Sequence, residues 1–207
     1  MEKTLKIEKK LFAEAHHVEI DKVPTYKMRT PLQKVIQILK RHRDICFQKN
    51  SDDAPISIII TTLAAWAYNG EENVYEALCN ILDKMPAYIQ VRNGEFWVEN
   101  PVMKEENFAD KWNIVPSKQT AFVRWMARAR KELIDDPLTC IGIDSIAELF
   151  KQHLGQAPTE RALRSMGNDT RIARNSGSLY VNGLTGGLTT TATTNSKPVK
   201  EHTFFGK

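Results

Sequence analysis

The run PISIIITTLAAWAY, from Pro55 to Tyr68, constrains this chain more than any other feature. It is apolar nearly all the way round, so no side of it can face water and other elements must enclose it. The β-branched trio Ile58, Ile59 and Ile60 would suit a buried strand, but the following Leu-Ala-Ala-Trp-Ala and the overall length favour a helix. Asp52-Asp53-Ala54-Pro55 supplies its start. The run is shorter than the ~20 residues that a bilayer-spanning helix needs. It is therefore placed at the centre of a helical domain, and no membrane span is expected.

The segments around it have the pattern of wrapping helices. Thr30-Pro31 puts a hydroxyl at an N-cap and proline at the first helical position. The helix that follows runs to about Phe47, with Leu32, Val35, Ile36, Leu39 and Cys46 on one face and Gln33, Gln37, Lys40 and Asp44 on another. Glu71-Glu72 places acid in the first turn of a third helix ending at Met85-Pro86. YIQVRNGEFWV then alternates around Asn93-Gly94, the pair suited to a type I′ turn, and predicts a small hairpin. A short helix around Asn107 to Trp112 precedes a longer one from Pro116 to Leu133, which buries Phe122, Trp125, Met126, Ala129 and Leu133. Asp144-Ser145 with Glu148 resembles a capping box for a helix to Leu154, and a last short helix follows Pro158.

The fold expected is mainly α: a compact helical bundle with one small β-hairpin and a disordered C-terminal tail. Residues 1–23 read as a connecting helix and linker, 24–168 as the helical domain and 169–207 as a flexible tail. From about Asn175 the Thr-, Gly-, Ser- and Asn-rich sequence has no apolar period with which to offset ordering entropy. The terminal HTFFGK differs: Phe204, Phe205 and Gly206 make either a recognition end or an unstructured terminus with incidental aromatics.

With 207 residues there is room for one core of ordinary size, and a net charge of +4 is too mild for a dedicated DNA-binding domain. Any polyanion must meet a local cluster. Cys46, Cys79 and Cys140 are single and widely spaced, which predicts buried small hydrophobes in a reducing compartment. The charged N-terminus lacks the apolar core of an export signal, and a cytoplasmic setting is expected.

The most suggestive polar cluster is Lys40-Arg41-His42-Arg43 together with Ser57, where cations and a hydroxyl would converge on a polyphosphate. A solvated helix face that complements the helix dipole explains the same cations. His16-His17 and His42 lack a third ligand at metal spacing, so no metal is assigned. The acidic pairs Asp52-Asp53, Glu71-Glu72 and Asp135-Asp136 lie at helix ends, where capping accounts for them, and no catalytic residue is assigned. Arg124, Arg128, Arg130 and Lys131 form a basic run on one helix, either a solvated face or an RNA contact.

PTYKMRTPLQKVIQILKRHRD, APISIIITTLAAWAY and VENPVMKEENFADKW together resemble the C-terminal helical domain of the bacterial CD-NTases, the antiphage (CBASS) nucleotidyltransferases related to oligoadenylate synthase. The resemblance spans roughly Pro24 to Leu154. It implies a lobe that binds NTPs and closes a nucleotide cleft, in which Lys40 and Ser57 contact the donor triphosphate and Arg41 or Arg43 assists or pairs with neighbouring acids. The family's other lobe carries a Gly-Ser motif and metal-binding acids, and nothing upstream of Pro24 matches it. The expectation is therefore that this chain binds no cofactor itself, that Mg²⁺ sits on a missing catalytic lobe, and that the chain alone is inactive. The resemblance also implies a flexible tail joined by an E1/E2-like conjugation enzyme, though here Gly206 is followed by Lys207. The second reading is a non-enzymatic nucleotide- or RNA-binding module.

Overall fold

The computed structural model describes residues 30–199. The N-terminal segment expected to be a connecting helix, and Phe204, Phe205 and Gly206, lie outside the described residues. Helix α1 (Pro31–Cys46) turns Val35, Leu39 and His42 to the interior. Helix α2 (Ser57–Ala67) buries Ile59, Ile60, Leu63, Ala64 and Ala67, but it is not enclosed all round as its composition suggested: Ile58 is 45% exposed and Ala65 also faces outward. Among the described residues no helix is long and apolar enough to cross a membrane.

Helix α3 (Val74–Lys84) begins later than its acidic residues suggest. Asn73 is its N-cap, its side chain accepting from the amides of Tyr75 and Glu76. Glu71 instead stays outside the helix, where its carboxylate accepts from Asn80 Nδ2 at 2.7 Å and from the Asn69 amide. The predicted hairpin is present as β1 (Gln90–Arg92) and β2 (Glu95–Trp97), with Val91 opposite Phe96. Asn93 and Gly94 have φ of 52° and 86°, the left-handed pair that a type I′ turn demands.

After α4 (Asp110–Ile114) comes α5 (Pro116–Arg130), which buries Phe122, Trp125, Met126 and Ala129. One π-helical turn, Lys131–Asp135, and a short α6 (Asp136–Thr139) continue it. Phe96, Trp112, Phe122 and Trp125 form a chain of rings, with neighbouring centroids 6.3, 4.9 and 5.7 Å apart. This aromatic row ties the hairpin to the helical core.

Helix α7 (Ile143–Leu154) does not use the capping box. Gly142 turns the chain into it at φ +84°, and the Ser145 hydroxyl donates back to the Ile141 carbonyl. Helix α8 (Gln156–Asn175) is 20 residues long rather than short, so the expected boundary at residue 168 falls inside it. Along this largely polar helix only Thr159 and Ala173 are buried, with Leu163 half-buried.

The described part of the expected tail also differs from an unstructured segment. Strands β3 (Tyr180–Asn182), β4 (Leu188–Thr189) and β5 (Ser196–Pro198) pair antiparallel in the order β4-β3-β5. Local hydrogen bonds replace the missing apolar period here. Asn182 Oδ1 accepts from the amides of Leu184 and Thr185, and the Gly183 amide donates to the Asn195 carbonyl at 2.7 Å. A Cβ on Gly183 would stand 2.8 Å from that carbonyl oxygen, so only glycine allows the approach.

The junction between α7 and α8 is Gly155, at φ +91°, and a Cβ there would meet Arg41 Nη2 at 2.6 Å. Gly155→Ala is therefore expected to cost about 1–3 kcal/mol from left-handed strain and displacement of Arg41. Urea unfolding monitored by circular dichroism measures this; a variant as stable as the parent would contradict the assignment.

Candidate functional site

Helix phase sorts the basic residues of α1. Successive residues are ~100° apart, so Arg41 and Arg43 project from nearly opposite faces while Lys40 and Arg43, three apart, share one. Arg41 Nε donates to the Leu154 carbonyl at 2.8 Å and so satisfies the C-terminal end of α7. Its place in the structure is at that helix end.

Arg43 is the residue brought to Ser57. Its Nη1 donates to the Pro55 carbonyl at 2.6 Å and to Ser57 Oγ at 3.1 Å, and its Nε donates to Asp44. Because Ser57 Oγ accepts from a guanidinium, its own O–H remains available to donate elsewhere. Ser57 is the first residue of α2, and the capping position is Ile56, whose side chain makes no capping bond. The first-turn amides of α2 thus point outward without a side-chain acceptor. Lys40 is half-buried, and its ammonium makes no hydrogen bond or ion pair with the described residues. Arg43 and Ser57 thus meet where α1 adjoins the start of α2, and Lys40 stands one turn from Arg43 along α1.

A second polar centre escaped the sequence reading. His42 is fully buried, and Trp125 Nε1, which can only donate, meets His42 Nδ1 at 3.1 Å. That fixes the tautomer: His42 Nε2 carries the proton and donates to Glu132 Oε2 at 2.9 Å. Arg128 Nε reaches Glu132 Oε1 at 2.7 Å, and His153 Nδ1 reaches Oε2 at 2.8 Å. Glu132 thereby joins α1, α5 and α7. The legible signal was His42 itself, which continues the buried Val35 and Leu39 stripe of α1.

Desolvation by burial pushes the His42 pKa below the ordinary 6.5, against the opposing pull of Glu132. Burial also works to raise Glu132, but hydrogen bonds from Arg128 and His42 and the charge of His153 outweigh it, and the carboxyl lies below the ordinary range. Burial raises the Cys46 thiol, keeping it protonated. His42, Cys46 and Glu132 offer ligand atoms within 4.8 Å of one another, a grouping that sequence spacing did not reveal. The donor set does not fit a divalent ion as arranged, because Trp125 occupies Nδ1 and the Nε2 proton is already given to Glu132. His16 and His17 lie outside the described residues.

No protein-family model matches the chain. A c-di-GMP synthase from Roseivirga ehrenbergii is 33% identical over 194 residues, which are 93% of this chain and 50% of that protein. In fold the chain resembles the Bradyrhizobium diazoefficiens CD-NTase CdnG, whose structure was solved in complex with GTP; the TM-score is 0.53 and the identity 18%, over 73% of this chain and 46% of that one. The chain spans about half the length of each. Its fold is like that of a CD-NTase, the family to which the sequence resemblance points.

The Glu132 centre predicts a pH dependence. His42 has a lower pKa folded than unfolded, so the unfolded chain binds more protons and stability falls as pH drops below about 6.5. Glu132, also lowered, adds a loss as pH falls below about 4.5. Thermal unfolding should show the wild type losing stability as pH falls below about 6.5, with His42→Gln flatter across the histidine range. An equal slope for the variant would remove His42 as the cause.

Proposed function

We propose that this chain is the helical, nucleotide-orienting lobe of a nucleotidyltransferase making cyclic oligonucleotide second messengers, with the catalytic lobe supplied outside it. The observation that carries the reading is the Arg43–Ser57 contact, with Lys40 unpaired one turn away on the same helix face. GTP is the favoured donor nucleotide, because the relative is named for c-di-GMP and the structural neighbour holds GTP. ATP is the second candidate. Antiphage defence, a cytoplasmic setting and an E1/E2-like conjugation partner at the C-terminus belong to the same proposal by family resemblance.

Each residue has a definite part. Lys40 places a compact positive charge against a phosphate oxygen, and the Ser57 O–H donates to another. Arg43 acts through Ser57: it holds the hydroxyl as an acceptor on one side and so directs its proton outward. The amides of α2 complete the cradle. Fixing a triphosphate in this way lowers the entropic barrier to an in-line transfer without any bond being made or broken by this lobe.

Two Mg²⁺ ions supply nucleophile activation and charge neutralisation in such a transfer when bound. The described carboxylates near Ser57 do not fit that role: Asp44 is held by Arg43, while Asp53 accepts from Asn50 and Ser117. Metal binding is accordingly assigned to the separate lobe.

Two outcomes test the reading. Lys40→Ala should weaken GTP binding by roughly 1–3 kcal/mol in calorimetry, with the melting temperature little changed, since the residue has no internal partner. Equal affinities would remove Lys40 from the site. The purified chain alone should make no cyclic or linear oligonucleotide from NTPs with Mg²⁺ or Mn²⁺, and robust product formation by it would refute the division of labour.

A further inference from the structure

The basic run of α5 is not one uniform face. Arg130 pairs with Asp83 and Asp135, and Lys131 pairs with Asp136, so both are neutralised by acids of the domain. Arg124 and Arg128 instead line a cavity of about 420 Å³ between α5 and the end of α1. Arg128 commits its Nε to Glu132, which leaves its terminal nitrogens, and Arg124 makes no ion pair or hydrogen bond with the described residues. An RNA-binding stripe needs several free cations in line, and here three of the four are paired with acids.

The cavity is polar at both ends. Ser117, Arg124 and Arg128 recur along one face of α5, so the guanidiniums stand roughly 10–16 Å along the helix from Ser117. At the Ser117 end lies Asp53, which accepts from the Ser117 hydroxyl at 3.4 Å and from Asn50 Nδ2 at 2.8 Å. Phe47 offers a half-buried aromatic wall between the ends. The volume falls in the range typical of small-ligand sites.

We infer that this cavity is a second ligand site, for a phosphate-bearing small molecule of about nucleoside-monophosphate size. Its phosphate would meet Arg124 and Arg128, its flat ring would lie against Phe47, and a hydrogen-bond donor at its far end would meet Asp53. The fit follows from charge order: two forks suited to phosphate at one end, a carboxylate suited to an N–H or hydroxyl at the other. None of the cavity residues belongs to the Lys40–Arg43–Ser57 constellation, so the two sites stand or fall separately. Occupancy would reach the rest of the fold through the Arg128–Glu132 hydrogen bond.

Calorimetry of the full chain with GMP, AMP and inorganic phosphate tests this. GMP should bind; Arg124→Ala should weaken it about tenfold or more, the scale of one lost charge-assisted contact. Asp53→Asn should weaken GMP but leave inorganic phosphate unchanged, and Thr120→Val, a neutral change in the lining, should weaken GMP without altering net charge. Lys40→Ala should leave GMP binding unchanged. Absence of GMP binding at about millimolar concentrations, or loss of it in Lys40→Ala but not in Arg124→Ala, would overturn the inference while leaving the triphosphate reading to its own test. Arg124 is exposed and unpaired, so circular dichroism should show Arg124→Ala folded.

Discussion

A carboxylate taken out of water must be given back its hydrogen bonds, and Glu132 is the point where this domain does so. Its side chain is only 13% exposed, and three cationic or polar donors from three helices converge on its two oxygens. Removing any one leaves a partly buried charge short of a partner, a more costly change than losing a surface ion pair. The π-helical turn makes this arrangement reachable. It widens the helix where Glu132, Leu133 and Ile134 all face inward, more of the circumference than a regular α-helical turn turns to one side.

The consequence reaches the proposed site through α1. His42 is held by Trp125 on one nitrogen and by Glu132 on the other, which fixes the rotation of the helix about its axis. With that phase set, Arg43 falls beside the start of α2, Arg41 falls at the end of α7, and Lys40 is left half-exposed without a partner. The same helix thus spends two of its basic residues on internal contacts, and Lys40 makes none with the described residues. Ile56 and Ile58, on either side of Ser57, are exposed to 46% and 45%, an apolar rim around polar atoms of the kind that strengthens charge contacts wherever water is excluded.

Much of this was legible in the sequence because it is written in local periodicity. The all-round apolarity of α2, the stripe of α1 and the Asn93-Gly94 turn each depend on residues within a few positions of one another. The Glu132 centre was not, because its partners are 90 residues apart in the case of His42, and no single-segment pattern marks Glu132 as inward-facing. The full length of the polar α8 and the small sheet after it were missed for a related reason. Their order comes from side-chain amides, hydroxyls and one glycine close approach rather than from an apolar period, and composition alone weighs only the latter. At the candidate site the sequence proposed Lys40, Arg41, Arg43 and Ser57 together, whereas seeing that Arg43 and not Arg41 adjoins Ser57 required the helix phase and the positions of Leu154 and Pro55.

The central claim is that a triphosphate lies against the first turn of α2, beside Lys40. Amide NMR of the chain titrated with GTP tests it most directly, since the Ser57, Ile58 and Ile59 amides would then become donors to phosphate. The account predicts that these amides shift most and in step with the Lys40 side-chain signals, while amides at the far ends of α3 and α8 stay still. Saturating GTP that leaves the first turn of α2 unmoved would contradict it.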